Sequence, residues 1–226
     1  MTDAKSLVEF VQSQLVALAD PARAEPMAAY MKTEMPFYGV PKPERVPISR
    51  ELKRRFAPAN AGQYRENVLA LWNLPHREEK YLAIGYARQF PAFVAFAQID
   101  LYERLIIEGA WWDLVDEIAN PIVSRVVLNH RQQMGPVLER WIESPVMWLR
   151  RAAIICHNGH KQDTDWAQLS DFCLRRAEET EFFIRKAIGW ALREYARTNP
   201  DDVRTFLRLH GPKLSGLSYR EAAKHL

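Results

Sequence analysis

The 226-residue chain is poor in the features that mark specialised folds. Its two cysteines, Cys156 and Cys173, are too few for a disulfide framework, and neither stands in a Cys-x-x-Cys or Cys/His spacing. They read as small buried hydrophobes in a reducing compartment. Nine glycines and fourteen prolines exclude a fibrous or low-complexity chain. No apolar run approaches the roughly 18 residues that cross a bilayer. The N-terminal stretch, broken by Glu9 and Gln12, lacks the continuous apolar core of a secretory leader. The expected location is the cytosol, away from membranes. The nucleotide-binding, zinc-protease and α/β-hydrolase motifs (Gly-x-x-x-x-Gly-Lys-Ser/Thr, Gly-x-Gly-x-x-Gly, His-Glu-x-x-His, Gly-x-Ser-x-Gly) do not occur. Six histidines show no metal spacing; His157 and His160 are separated by Asn158-Gly159, which ends a helix. No metal and no cofactor are expected.

Charge of one sign is also scarce: 31 Lys+Arg against 28 Asp+Glu leave +3. The balance is uneven, however. Residues 1–139 hold 16 basic and 17 acidic groups, 140–180 hold six of each, and 181–226 hold nine basic and five acidic, a local +4. One basic end on a near-neutral chain points to a local anion-binding surface.

What is present is helical periodicity. Helices are expected at about 3–19, 22–33, 47–57, 63–73, 77–89, 91–108, 111–129, 132–143, 145–157, 165–178, 180–198, 200–210 and 217–225. Prolines 36, 41, 43 and 47 mark a long connection over 34–46. No segment alternates like a strand, so the chain is all-α. A repeat underlies it. Trp148-Leu-Arg-Arg-Ala152 matches Phe183-Ile-Arg-Lys-Ala187 at a spacing of 35, and Ile84-Gly-Tyr-Ala87 matches Ile188-Gly-Trp-Ala191 at 104, close to three times 35. Such a period over paired helices predicts an α-α superhelix, a solenoid running through residues 1–226 as a single domain. Equivalent positions in successive repeats then face one groove.

Three clusters could carry chemistry. On the helix at 180–198, Lys186, Trp190, Arg193 and Arg197 form an i, i+4, i+7, i+11 stripe apart from the apolar face of Phe183, Ile184, Ala187, Ile188, Ala191 and Leu192. It reads either as a solvated face with one half-buried indole or as a nucleic-acid contact, with cations for phosphates and a stacking plate. In Trp111-Trp-Asp-Leu-Val-Asp116, Trp112 and Asp116 lie one turn apart, opposite Trp111, Leu114, Val115 and Ile118. A carboxylate beside an indole suits a cationic ligand. Asp113 is the residue better placed to serve the helix dipole. Arg151 falls one repeat before Lys186 and is expected on the same groove.

These stretches resemble the DNA alkylation repair enzyme family, the AlkD-type alkylpurine DNA glycosylases built of HEAT-like repeats. The resemblance runs through Ala24-Glu-Pro-Met-Ala-Ala-Tyr-Met-Lys32, Leu71-Trp-Asn-Leu-Pro75, the Trp-Trp-Asp-x-Val-Asp signature ending at Asp116, Trp148-Leu-Arg-Arg-Ala-Ala-Ile154, the long run from Glu181 to Pro200, and Leu217-Ser-Tyr-Arg-Glu-Ala-Ala-Lys-His225. It implies a C-shaped solenoid whose concave face holds duplex DNA. It implies a monomeric, hydrolytic base-excision enzyme, without lyase activity, acting on N3- and N7-alkylated purines. The catalytic positions it implies are Asp116, Trp112, Trp190 and Arg151. Tyr30 falls near the lesion, and Lys186, Arg193, Arg197 and Arg220 fall on backbone contacts. One departure is Tyr219, where the C-terminal motif usually has an Arg, so a weaker or shifted phosphate contact is expected there. The competing classes are a non-catalytic DNA-binding paralogue and a peptide-binding scaffold, since fold alone does not decide function.

Overall fold

The computed structural model describes residues 4–226, which contain helices, turns and no strand. The chain forms two compact units, Met1–Val94 and Ala95–Leu226.

In the first unit, α1 (Ala4–Ala17) buries Leu7, Val11 and Leu15, an i, i+4, i+8 stripe. Asp20 caps α2 (Pro21–Met31) by accepting from the Ala22 N–H at 3.0 Å, and Pro21 opens the first turn, where no donor is needed. α3 (Lys42–Arg55) begins five residues earlier than the proline pattern predicts. Pro43 lies in its first turn, where its missing N–H costs nothing, and Pro47 is exposed while Ile48 and Leu52 are buried. The proline-rich connection therefore ends at Pro41. It is fastened to α5 (Arg77–Gln89) by the buried Glu78 carboxylate, which accepts from the backbone N–H groups of Tyr38, Gly39 and Val40 at 3.0, 2.9 and 3.0 Å. Gly39 is required: its φ is +83°, and a Cβ there would lie 2.1 Å from the Asp20 carbonyl oxygen. Between these elements, α4 (Ala61–Trp72) is capped by Asn60, whose side chain accepts from Gln63 N–H at 2.9 Å.

The helix expected at 91–108 is shorter. Pro91–Phe93 and Phe96–Gln98 are single 3₁₀ turns, and α6 (Ile99–Gly109) follows in the second unit. Ala95 is extended (φ −139°, ψ 167°), which breaks any continuous helix. The helix expected at 111–129 is also interrupted. α7 (Trp112–Ile118) runs into a π-helical turn, Ala119–Val123, before α8 (Ser124–Asn129). Pro121 lacks the N–H that an α-helical ladder needs at this point, and a wider turn absorbs the gap.

The rest of the second unit comprises α9 (Arg131–Ile142), α10 (Met147–Ile155), α11 (Trp166–Arg175), α12 (Phe182–Ala196), α13 (Pro200–His210) and α14 (Gly216–Ala222). Helix α10 packs against α6, α9 and α12, and α14 lies along α12. On α12, Ile184, Ile188 and Leu192 are fully buried. At about 1.5–3 kcal/mol each, these three side chains fix which face of α12 turns inward. Cys156 and Cys173 are both buried, and burial pushes their thiols up. Burial pushes His157 down to about 3, so its imidazole is neutral.

Candidate nucleic-acid interface

Trp111 caps α7 in an extended conformation, which starts the helix at Trp112 and puts Asp113 in its first turn and Asp116 in its second. Leu114, Val115 and Ile118 are fully buried, so Asp116 is left on another face, one turn beyond Trp112. There it meets Arg151 of α10. Arg151 donates from Nε to Oδ1 at 2.8 Å and from Nη2 to Oδ2 at 2.7 Å, a bidentate pair. A third bond runs from Arg151 Nη1 to the Phe183 carbonyl of α12 at 2.5 Å. The guanidinium thus ties α10 to both α7 and α12, and its side chain is only 5% exposed against 16% for Asp116.

Burial pushes the Asp116 carboxyl above the ordinary carboxylate range, and the Arg151 guanidinium pulls in the opposite direction without cancelling it. Each Asp116 oxygen accepts one bond from Arg151. A carboxylate has about four lone-pair sites, so one on each oxygen remains for another donor. The Asn120 amide, from the π-helical turn, donates to the Asp116 backbone carbonyl at 3.1 Å and ties that turn to the site.

The guanidinium lies 5.9 Å from the centre of the Phe183 ring, and Phe183 clusters with Trp111 and Trp148, ring centroids 4.9–6.1 Å apart. Trp112 and Trp190 are half-buried and, among the described residues, stack on no other ring. Trp190 lies on α12 between Lys186 and Arg193. Arg151 is buried, with only 4% of its surface exposed.

The cations of the stripe are held differently. Lys186 lies 3.3 Å from Glu221 Oε1, and Arg193 Nη1 bonds Oε2 of the same side chain. Arg197 is exposed, 3.6 Å from Glu194. Arg220 is exposed on α14, and Tyr30 is 75% exposed on α2 in the first unit. Tyr219, on α14, packs its ring against Gly211 at the end of α13, where a Cβ would come 2.9 Å from it. Glu221 was not singled out by pattern, yet it carries a signal. Asp116, Arg151, Lys186 and Glu221 follow one another at steps of 35 residues, and the first and last pairs touch. The Lys224 ammonium, together with Lys186 and Arg193, holds the Glu221 carboxyl below the usual range. No cluster of three or more His, Cys, Asp or Glu side chains arranged to hold a metal occurs among the described residues. Among the described residues, no helix is long and apolar enough to cross a membrane.

An all-helical unit with a buried carboxylate–guanidinium pair flanked by indoles and a cationic helix face defines the class. The family model for the DNA alkylation repair enzyme matches residues 11–226, and the chain belongs to that family. A solved structure described as a predicted DNA alkylation repair enzyme from Enterococcus faecalis is 30% identical, covers 92% of this chain and 96% of its own, and superposes with a TM-score of 0.83. The smu.31 protein of Streptococcus mutans UA159 shares the fold at 15% identity and a TM-score of 0.60, over 79% of this chain and 90% of its own. Comparison with curated proteins gives no match.

Proposed function

We propose that the chain is a DNA glycosylase that hydrolyses the N-glycosidic bond of N3- and N7-alkylated purines in duplex DNA. The observation that carries this reading is Asp116: a carboxylate one helical turn from Trp112, held by Arg151 through two hydrogen bonds, with one lone pair on each oxygen still open. Alkylation at N3 or N7 leaves the purine cationic and already a good leaving group, so no general acid is required. As the bond breaks, positive charge develops on the deoxyribose. A fixed carboxylate stabilises that charge without reorganising, and it accepts a proton from the attacking water. The proton goes to Asp116, the water oxygen to the sugar carbon, and the bond electrons to the departing base. Trp112 and Trp190 offer π faces to a cationic base or sugar. Arg151 orients the carboxylate, and Lys186, Arg193, Arg197, Arg220 and Tyr30 serve the DNA strands. The lesion is approached through its backbone, without the deep pocket of base-flipping enzymes. Cationic lesions are therefore preferred to neutral ones.

The test is Asp116→Asn, which keeps one acceptor for Arg151 and removes the charge. It is expected to abolish release of 7-methylguanine from methylated duplex while binding of that duplex is nearly retained. Release at the wild-type rate would overturn the assignment.

A further inference from the structure

Three features of α14 and α12 belong together. Gly189 sits between Lys186 and Arg193 on α12, and a Cβ there would lie 2.4 Å from Glu221 Cβ and 2.9 Å from the Ser218 carbonyl oxygen. The two helices therefore meet backbone to backbone at this point. Ser218 Oγ donates to the Arg185 carbonyl at 2.9 Å and fixes the register of the crossing. The crossing delivers the Glu221 side chain, 9% exposed, into the gap between Lys186 and Arg193, while Lys224 closes the outer side at 2.6 Å. One buried carboxylate thus occupies two cations on the helix face that carries Trp190.

We infer that Glu221 is a positioning residue that holds Lys186 and Arg193 on either side of Trp190 and, by occupying them, limits the phosphate contacts that undamaged duplex DNA makes with this face. The inference rests on the DNA-binding part of the proposed function. A phosphate approaching either cation meets the carboxylate's charge as well, so contact with this face requires rearranging the pair. Such restraint suits a protein that must leave normal DNA quickly. Asp116 and Glu221 then play opposite parts at the two ends of the 35-residue ladder. One is restrained by an arginine, and the other restrains an arginine and a lysine.

The experiment is a salt titration of binding to undamaged duplex by wild type, Glu221→Gln and Glu221→Asp. Glutamine fills the same volume without the charge. Each phosphate contact contributes about 0.9 to the log–log salt slope, or about 3.5-fold in affinity over a four-fold rise in salt. Glu221→Gln is expected to steepen the slope by one or two contacts and to bind more tightly at low salt. On methylated duplex, KM and kcat should fall together as product departs more slowly. Glu221→Asp, which keeps the charge, should stay near wild type. A folded Glu221→Gln protein with an unchanged or shallower slope would overturn the inference, leaving the glycosylase reading intact if 7-methylguanine is still released by wild type. Conversely, a steeper slope in a protein that releases no base would sustain the inference and sink the glycosylase. Should Glu221→Gln fail to fold, Arg193→Gln in the protein that keeps Glu221 reads the same point: removing a cation already occupied by the carboxylate is expected to change the salt slope on undamaged duplex by less than half a contact, and loss of a full contact overturns the proposal.

Discussion

Replacing both members of the Asp116–Arg151 pair should leave the protein more stable than replacing either one. The reasoning starts from burial: the two side chains are 16% and 5% exposed and share two short hydrogen bonds. In Asp116→Ala, the Arg151 guanidinium stays buried, with the Phe183 carbonyl as its remaining partner from this cluster. Breaking a buried pair in this way costs about 3–5 kcal/mol. For a chain of this length that is about 6–20 °C in unfolding midpoint. Asp116→Leu with Arg151→Met removes both charges and fills similar volume, and such replacements are often neutral or stabilising. The direction of the Asp116 shift agrees. A carboxyl raised by burial is one whose ionisation opposes folding, so at neutral pH the charge is a burden on the native state and its contribution improves as the pH falls through the raised value. Urea and thermal unfolding of Asp116→Ala, Arg151→Met and the double variant, alongside base release at a temperature where all are folded, form the assay. The expected result is a destabilised Asp116→Ala, a double variant within about 1 kcal/mol of wild type, and no base release from either. A double variant whose loss equals or exceeds the sum of the singles would refute the argument that this pair is kept for chemistry.

The acid limb of base release, measured under single-turnover conditions, should report Asp116. Activity is lost as pH falls through the raised pKa, so the limb lies above the ordinary value of 3.8, and a limb at or below it contradicts the burial argument. Gly189→Ala forces α12 and α14 apart, because the new methyl meets the Glu221 Cβ. About 1–3 kcal/mol of destabilisation is expected, with hydrogen exchange rising first in residues 216–222. Glu78→Gln removes the charged acceptor of three backbone N–H groups and should cost about 1.5–3 kcal/mol in denaturant unfolding, with faster exchange at Tyr38, Gly39 and Val40. Trp190→Ala should slow release of a cationic base far more than it changes the salt slope of binding, since an indole contributes no counterion release. Equal effects on both would remove Trp190 from the lesion.

Much of this was readable from periodicity. The apolar stripes of α1 and α12 and the separation of Asp116 from Leu114, Val115 and Ile118 follow from helical spacing alone. The contact between Asp116 and Arg151 lies at the repeat length that Trp148–Ala152 and Phe183–Ala187 show in the sequence, although the spacing by itself does not pair the two residues. Three things were not legible, and each for a physical reason. Pro43 and Pro47 look like breakers, but a first turn and an exposed face tolerate them. Pro121 looks harmless in a helical pattern, yet it forces the π-helical turn that local propensity does not report. Glu221 looks like an ordinary surface glutamate in a charged C-terminal segment, and its burial is decided by Gly189 on a different helix.

The π-helical turn at Ala119–Val123 also sets a rule about chain length. It holds one residue more than an α turn, so the halves of the rod on either side are out of phase by about 100°. Upstream, that phase aims Asp116 at Arg151; downstream, it aims Ser124 at His160, 2.9 Å away. Removing a single residue such as Asn120 would take out the extra residue and turn one end against the other by about 100°, so only one of the two contacts could survive. Substitutions within these five positions are tolerable in principle, whereas a one-residue deletion is not. A relative with a gap at this place in the chain would therefore lose either its carboxylate–arginine pair or the contact below it, even if every residue of the Trp-Trp-Asp-x-Val-Asp signature were present.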